Sequence, residues 1–160
     1  MSCCGTERTI GHPVVNWTSW KYLLTDLDGR IGRAAYWAGI VPLVVIGAGL
    51  YLFGYGAAGE TLAVILSLIV LYPSFALNVK RAHDRDRPTW VVVVFFIMLI
   101  AIYVLQLLGV GQTAEGPTTL YLTILIPCLL LALYLFFEFA CLRGTRGPNR
   151  YGPDPIAGQR

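Results

Sequence analysis

The sequence predicts an all-α membrane protein with four transmembrane helices, and three observations lead to this prediction. The first is composition: of 160 residues, 56% are hydrophobic and only 13% are charged, a balance that a soluble domain of this size does not show. The second is a set of four long apolar runs. The third is the position of the 12 Lys and Arg residues. If the four runs cross a membrane one after another, all 12 lie on the same side of that membrane.

Four apolar runs predict the transmembrane helices, and they cover residues 34–55, 61–79, 89–108 and 118–142. At about 1.5 Å per residue, even a run of about 19 residues extends roughly 28 Å, close to the ~30 Å of a bilayer's hydrocarbon layer. Lipid offers backbone groups no partner, and no run alternates as a barrel strand does, so each run must be a helix. Because the links between the first and second runs and between the third and fourth are short, we expect two antiparallel hairpins.

The basic residues predict the orientation of the chain. The links at residues 56–60 and 109–117 contain none, whereas the N-terminal part, the segment between the second and third runs, and the C-terminal part contain all 12. Since basic residues favour the cytoplasmic side of a membrane, both termini and the central segment are expected there. The net charge of +3 is then explained by topology, and no nucleic-acid partner is expected.

Outside the four runs, the sequence predicts two tails and one short helix. Residues 1–16 are polar and predict a flexible cytoplasmic tail, and residues 156–160 a second tail, which leaves residues 17–155 as the membrane domain. Over residues 17–27, apolar side chains recur at helical spacing, which predicts a short amphipathic interfacial helix that ends before Gly29. A connector packed on the bundle would show the same pattern.

The segment between the second and third runs, NVKRAHDRDRPTW at residues 78–90, contains seven ionisable side chains. His83, Asp84 and Asp86 are residue types that bind divalent metals or carry protons, but one His and two Asp from a single loop make an incomplete metal site. The alternative is that the two aspartates pair with neighbouring arginines and order a tight loop. Asp86 is also placed to cap the third helix, with Pro88 in its first turn.

Two further segments combine polar and aromatic residues. Residues 29–37, GRIGRAAYW, place two arginines before the first long helix and two aromatic residues at its start. This pattern predicts interfacial anchoring or, alternatively, an anion site at the helix N-terminus that the guanidinium groups complete. Residues 144–155, GTRGPNRYGPDP, have the Gly, Pro and Asn spacing of consecutive turns, so they are expected to fold back over the cytoplasmic face.

Glu138 is the only charged residue inside the four runs. It lies about 6 Å from the cytoplasmic end of its helix, near the depth of Asn78. Because a carboxylate inside a membrane is costly, we expect Glu138 to pair with one of three basic residues: Arg33, Arg81 or His83. The alternative is that it reaches water or Arg143 at the membrane boundary.

Three motifs carry a resemblance to a known family: GRIGRAAYW at residues 29–37, KRAHDRDRPTW at 80–90 and NRYGPDP at 149–155. Over residues 17–155 the chain resembles the bacterial inner-membrane family known as domain of unknown function 805. The resemblance implies four spans, cytoplasmic termini and location in the bacterial inner membrane, and it implies no activity, because none is established for the family. The chain departs from the family pattern at residues 85–89, where Gly and Ser are frequent, and at Ala35, where Glu is common.

The sequence leads to three hypotheses about function. The first is a non-enzymatic membrane protein whose cytoplasmic face binds an anionic lipid headgroup or a partner protein. The second is an oligomeric transporter or ion pathway that uses Glu138 and Asn78, in spans that also contain Pro42, Pro73 and Pro127. The third is a metal-dependent membrane enzyme that uses His83 and Asp84.

The candidate site combines the three motifs with the polar residues of the spans, at the cytoplasmic face. It consists of Arg30, Arg33, Tyr36, Trp37, Asn78, Arg81, His83, Asp84, Trp90, Glu138, Asn149, Arg150 and Asp154. The sequence contains no catalytic triad, phosphate-binding loop, nucleotide fingerprint or HExxH motif, so neither catalytic residues nor a cofactor is predicted. The expected partners are the lipid bilayer, its anionic headgroups and a second copy of the chain.

Overall fold

The structure, a computed structural model, describes residues 20–113 and 116–157 and is all-α apart from two very short strands. Its elements are, in order, α1 (Trp20–Thr25), α2 (Arg33–Ala58), α3 (Glu60–Ser67), a 3₁₀ turn (Leu68–Val70), α4 (Leu71–Asp84), α5 (Trp90–Leu107), β1 (Gln112–Thr113), β2 (Gly116–Pro117), α6 (Thr119–Leu135) and a π-helical segment (Phe136–Cys141). The two strands pair antiparallel in the link between α5 and α6.

Four helical stretches of the described chain are long and apolar enough to cross a membrane, as predicted, and they cover Arg33–Ala58, Glu60–Asp84, Trp90–Leu107 and Thr119–Cys141. Large apolar side chains cover their outer surfaces, among them Val45, Leu52, Ile69 and Leu130. Such a surface suits contact with lipid, where exposed apolar side chains have no cost.

The second spanning stretch extends further than the hydropathy pattern predicts. The apolar run ends at residue 79, but α4 continues to Asp84 and includes Lys80 and Arg81. The predicted end of the span and the observed end of the helix differ because hydropathy falls at the first charged residue. The helix itself can continue past that residue when its charged side chains are hydrogen-bonded. The ends of the other three stretches lie within three residues of the predicted positions.

The same stretch is interrupted by the 3₁₀ turn at Leu68–Val70. Pro73 explains the interruption, because it has no N–H to donate to the carbonyl of Ile69, four residues earlier. Pro42 and Pro127, in contrast, lie inside continuous helices.

The helices α2 and α3 approach each other closely at Gly54. A Cβ atom at this position would lie 2.6 Å from Ala63 Cα, so only glycine allows the two backbones to pack at this distance. The main buried cluster lies nearer the other end of α2, where Leu43, Leu77 and Phe139 join one core.

Two predictions about local structure are wrong. Asp86 does not cap the third helix, because α5 begins at Trp90 after Thr89 and has no side-chain cap hydrogen bond, while Asp86 has a left-handed φ of 55°. Pro88 precedes this helix and does not lie in its first turn. The predicted helix over residues 17–27 is observed as the shorter α1, with residues 17–19 outside the described chain, as are the tail at residues 1–16 and residues 158–160.

Candidate functional site

One end of the bundle, called the polar end, contains the charged parts of all three motifs. It consists of residues 26–33, the last two turns of α4, residues 85–90, the π-helical segment and residues 142–157. The side chain of every residue of the predicted site except Trp90 forms a hydrogen bond to another described residue. Trp90 lies exposed at the start of α5.

At the centre of the polar end, two arginines share the carboxylate of Asp84. Arg30 donates from Nε and Nη2 to Asp84 Oδ1, at 3.3 and 3.1 Å, and Arg81 donates from Nη1 to Asp84 Oδ2. Arg81 and Asp84 are 0% and 2% exposed, so this is a buried ion cluster. Buried charges are costly unless they are paired and hydrogen-bonded, and this arrangement meets both conditions.

Arg30 also attaches the C-terminal segment, residues 142–157, to the end of α4. Its Nη1 donates to the carbonyls of Gly147 and Gly152, at 2.9 and 3.0 Å, and its Nη2 donates to the Thr145 carbonyl at 2.8 Å. The Thr145 amide in turn donates to the Asp84 carbonyl at 2.9 Å. The motif arginine before α2 therefore fixes a segment more than 110 positions away.

Gly144 lets the C-terminal segment pass directly over Asp84. A Cβ atom at position 144 would overlap the Asp84 carboxylate. The requirement for glycine here comes from space, because the backbone of Gly144 does not have a positive φ.

The last three carbonyls of the π-helical segment and that of the next residue, Leu142, accept hydrogen bonds from motif side chains. Arg81 donates to the carbonyls of Phe139 and Leu142, at 2.7 and 2.5 Å. Trp37 Nε1 donates to the Ala140 carbonyl at 3.1 Å, and Arg33 Nη1 donates to the Cys141 carbonyl at 3.2 Å. The last carbonyls of a helix lack intrahelical partners and carry partial negative charge, so these cationic and aromatic donors satisfy the end of the fourth span.

Lys80 performs a similar role for α1. Its ammonium group is buried and donates to the carbonyls of Tyr22 and Leu23, the latter at 2.7 Å, within the last turn of that helix. The ammonium also lies 4.5 Å from the centre of the Tyr22 ring. Burial, followed by the nearby carboxylates of Asp26 and Asp28, raises the pKa of the Tyr22 hydroxyl to about 12, so this phenol stays neutral at physiological pH.

His83 is held by three elements of the polar end. Its Nδ1 lies 3.2 Å from the Gly29 carbonyl, so Nδ1 carries the proton and donates it, and Nε2 lies 3.1 Å from the Thr89 hydroxyl. The ring stacks on Tyr151 with the centroids 3.9 Å apart. Asn149 donates to the His83 carbonyl at 2.9 Å. The imidazole therefore links the segment before α2, the start of α5 and the C-terminal segment.

The turns of the C-terminal segment are ordered by their own polar side chains. Asp154 accepts hydrogen bonds from the amides of Gly147 and Ile156, at 3.2 and 3.1 Å. Arg150 forms an ion pair with Asp86 at 3.0 Å, where both side chains are exposed. The prediction that this segment folds back over the same face as the other motifs agrees with these contacts.

Glu138 pairs with two arginines that were not among its expected partners. Its Oε1 accepts from Arg85 Nη2 at 3.1 Å and from Arg87 Nε at 2.9 Å. Arg33 and Arg81 instead donate hydrogen bonds to carbonyls of the π-helical segment. The predicted partners were wrong because the π-helical turn and the loop after α4 decide which arginines face the carboxylate.

Asn78 forms the deepest polar contact of the candidate set. Tyr36 donates its hydroxyl to Asn78 Oδ1 at 3.2 Å, and Asn78 Nδ2 donates to the Ser74 carbonyl at 2.8 Å. The amide is therefore satisfied by one partner in α2 and one within α4.

The suggested metal ligands do not converge. Asp84 pairs with two arginines, Asp86 pairs with Arg150, and both His83 nitrogens face protein oxygens. Among the residues that the structure describes, no group of three or more His, Cys, Asp or Glu side chains could hold a metal ion. The pairing of both aspartates with nearby arginines, the alternative to metal binding, is observed.

A cavity of about 610 Å³ opens at the polar end between the start of α2 and the C-terminal segment. Arg33, Ala34 and Trp37 of α2 line it, and Arg143 and Ile156 of the C-terminal segment also line it. The N-cap position, Gly32, has no side-chain cap, so the first amides of a 26-residue helix lack a capping side chain beside this cavity.

Several residues of this region were not included in the predicted site, namely Lys80, Arg85, Arg87, Arg143 and Thr145. A signal existed for Arg85 and Arg87, because they follow the second predicted run on the side where the only acid within the four predicted runs, Glu138, also lies. No sequence signal identifies Thr145, since its role follows from the path of the C-terminal segment.

The chain is similar to bacterial proteins from Escherichia coli. The profile of a family described as "Protein of unknown function (DUF805)" matches residues 24–153. The relative named Uncharacterized protein YiiR, from strain K12, is 32% identical over 146 residues, covering 82% of this chain and 86% of that protein. Inner membrane protein YhaH is 29% identical over 133 residues, with 79% and 84% covered, and Inner membrane protein YhaI is 27% identical over 133 residues, with 82% and 86% covered. No solved structure matches the chain.

Proposed function

This chain belongs to the family described as "Protein of unknown function (DUF805)", and we propose that it binds the phosphate of an anionic lipid headgroup in the cavity at its polar end. Two of its relatives are named inner membrane proteins, and its four spanning helices agree with a protein integral to that membrane. The positive-inside rule supports a cytoplasmic orientation of the polar end.

The observation that carries this proposal is the cavity between Arg33 and Arg143. Arg33 donates one N–H to the Cys141 carbonyl, which leaves its other donors available to a ligand. Arg143 is exposed, and its side chain makes no polar contact with any described residue. Two guanidinium groups and the N-terminal amides of α2 are the groups that bind phosphate in many proteins.

The acids that line the cavity do not cancel this positive charge. Asp84 is paired with both Arg30 and Arg81, so these three side chains together carry a net positive charge. Asp154 keeps its negative charge when it accepts hydrogen bonds from backbone amides, but one carboxylate offsets only one of the guanidinium groups of Arg33 and Arg143. The volume of about 610 Å³ is within the range of roughly 300–1,000 Å³ that is usual for small-molecule sites.

The location also favours a lipid over a soluble anion. The cavity lies at the start of the first span and the end of the fourth, where the headgroups of a bilayer would be. Trp37, beside it, is a residue type that prefers this depth. Each basic side chain near a negatively charged leaflet contributes about 1 kcal/mol of attraction.

The proposal can be tested by lipid retention. The protein would be purified from mixed vesicles of phosphatidylglycerol and phosphatidylcholine, and bound lipid would be measured by native mass spectrometry. We expect Arg33→Gln and Arg143→Gln each to lower phosphatidylglycerol retention about fivefold, since about 1 kcal/mol is lost with each charge. Arg146→Gln is the control, because Arg146 is exposed on the same segment but does not line the cavity. Equal losses in all three variants would reject a defined site.

A second candidate function, an ion or solute pathway, has one observation in its favour. An open depression of about 300 Å³ lies beside the 3₁₀ turn, and four residues that carry hydroxyl groups are among those that line it, namely Tyr51, Ser67, Ser74 and Tyr103. Interrupted helices often form the polar sites of transporters. Proteoliposomes would decide the matter: a proton or cation flux that Glu138→Gln abolishes would support this function, and a flux no greater than that of empty liposomes would exclude it.

A further inference from the structure

A second depression, an apolar groove, lies between α5 and α6 near their polar ends and has a volume of about 410 Å³. Trp90 and Val94 form one wall, Leu131 and Tyr134 form the other, and Arg87 lies at its rim. The groove is separate from the cavity at Arg33, and the inference drawn from it does not depend on the proposed function.

The groove opens on the outer surface of the bundle. Both of its helices are spanning stretches, and Trp90 and Tyr134 are exposed at its edges. In a bilayer this surface contacts acyl chains, and an apolar concave surface in that position is filled by hydrocarbon. Trp and Tyr at the boundary place the rim of the groove at headgroup depth.

Among the described residues, the rim carries a net positive charge. Arg85 and Arg87 share the single carboxylate of Glu138. All three nitrogens of Arg85 donate hydrogen bonds, because Nη1 also donates to the Arg143 carbonyl. Arg87 uses Nε alone, and its two Nη groups donate to no residue in the described part of the chain.

Arg87 is also accessible and permanently charged. Its side chain is 52% exposed, so a ligand at the rim can reach the two free Nη groups. The hydrogen bond from Arg87 to Glu138 raises the pKa of the guanidinium. Two parallel N–H groups match the two oxygens of a phosphate.

We propose that this groove binds one acyl chain of an anionic glycerophospholipid, whose phosphodiester is held by the Nη groups of Arg87. The net positive charge at the rim favours a headgroup with net negative charge over a zwitterionic one. The apolar walls hold the chain, and the Arg87 guanidinium fixes the depth of the headgroup.

A photocrosslinking experiment tests this proposal. The full-length protein would be reconstituted in nanodiscs that contain phosphatidylglycerol with a photoreactive acyl chain, and the labelled peptides would be identified by mass spectrometry. We expect labelling to concentrate on α5 and α6 around Val94 and Leu131. Uniform labelling of all four helices would overturn the proposal.

Four variants separate the acyl-chain contact from the charge contact. Val94→Phe and Leu131→Phe each fill the groove and are expected to lower its labelling about tenfold, whereas Val45→Phe, on the exposed face of α2, leaves it unchanged. Arg87→Gln is expected to lower labelling by phosphatidylglycerol about tenfold, the effect of one charged hydrogen-bonded contact. Wild-type labelling in both groove variants would reject the site.

Two comparisons complete the test. Photoreactive phosphatidylcholine should label the groove less than photoreactive phosphatidylglycerol, and equal labelling would reject the role of Arg87. Arg33→Gln should leave labelling of α5 and α6 at the wild-type level, so a failure of the cavity proposal at Arg33 is distinguished from a failure at this groove.

Discussion

Arg81 is the residue on which the polar end depends most, because it is fully buried and contacts three different segments. Its guanidinium donates to Asp84 within α4, to the Ile31 carbonyl before α2, and to the carbonyls of Phe139 and Leu142 in and after the π-helical segment. Arginine suits this position because its planar group directs five N–H donors to separate acceptors, which lysine cannot do.

Asp84 supplies the charge that makes burial of two arginines tolerable. Removing one member of a buried ion cluster leaves the other charges without compensation, which costs about 3–5 kcal/mol. We therefore predict that Asp84→Asn lowers the free energy of unfolding by about that amount, measured by denaturant titration in detergent micelles.

Asp86→Asn is the matched control for this prediction. Asp86 also pairs with an arginine, but both side chains are exposed, and such pairs contribute about 0–1 kcal/mol. Comparable destabilisation by the two substitutions would mean that the Asp84 cluster does not hold the polar end together.

At the scale of elements, the helix ends are stabilised by side chains from other helices. The last carbonyls of α1 accept from Lys80, and those of the π-helical segment accept from Arg33, Trp37 and Arg81. π-helical turns are uncommon and occur frequently at functional sites. Here the turn directs Glu138 toward Arg85 and Arg87 and lies between the cavity and the apolar groove.

We predict that Lys80→Met releases α1 from the bundle while the four spans stay folded. The substitution leaves two buried carbonyls, those of Tyr22 and Leu23, without their donor. Hydrogen exchange of residues 20–25 should become at least about tenfold faster, because each lost hydrogen bond to a charged group contributes about 1.5–3 kcal/mol.

Lys21→Met provides the control for α1, because Lys21 belongs to the same helix but is exposed. Its exchange pattern should match that of the wild type. Faster exchange in Lys21→Met, or unchanged exchange in Lys80→Met, would show that the ammonium of Lys80 is not the anchor.

At the scale of the whole molecule, charge is separated along the bundle axis. All basic residues that the structure describes belong to α1, the polar end or its connecting segments, whereas the opposite end is formed by the basic-free links around Gly59 and between α5 and α6. We predict that the polar end faces the cytoplasm, because this distribution is the one that the positive-inside rule requires.

Cysteine labelling in intact cells checks this orientation. In a background without the four native cysteines, Gly56→Cys should react with a membrane-impermeant maleimide, and Arg146→Cys should react only after the cells are permeabilised. Both positions are exposed, so access to the reagent depends only on the side of the membrane. The reverse pattern would contradict the predicted topology.

Much of the fold could be predicted, and little of the site. The four spans follow from hydropathy, and the three motifs are visible as polar interruptions. Which charges pair could not be predicted: Glu138 was assigned to Arg33, Arg81 or His83, yet it contacts Arg85 and Arg87. Two of these candidates, Arg33 and Arg81, donate instead to carbonyls at the end of the fourth span. No local sequence pattern indicates that they do so.

The sequence by itself determined that this is a four-helix membrane protein with its basic residues at one end, because both properties depend on short-range composition along the chain. The tertiary structure decided how the motif residues act. Arg30 contacts Asp84, 54 positions away, and Gly152, 122 positions away. The cavity beside Arg33 and the groove beside Arg87 both depend on such long-range contacts, since their geometry exists only when the C-terminal segment and the π-helical turn are in place.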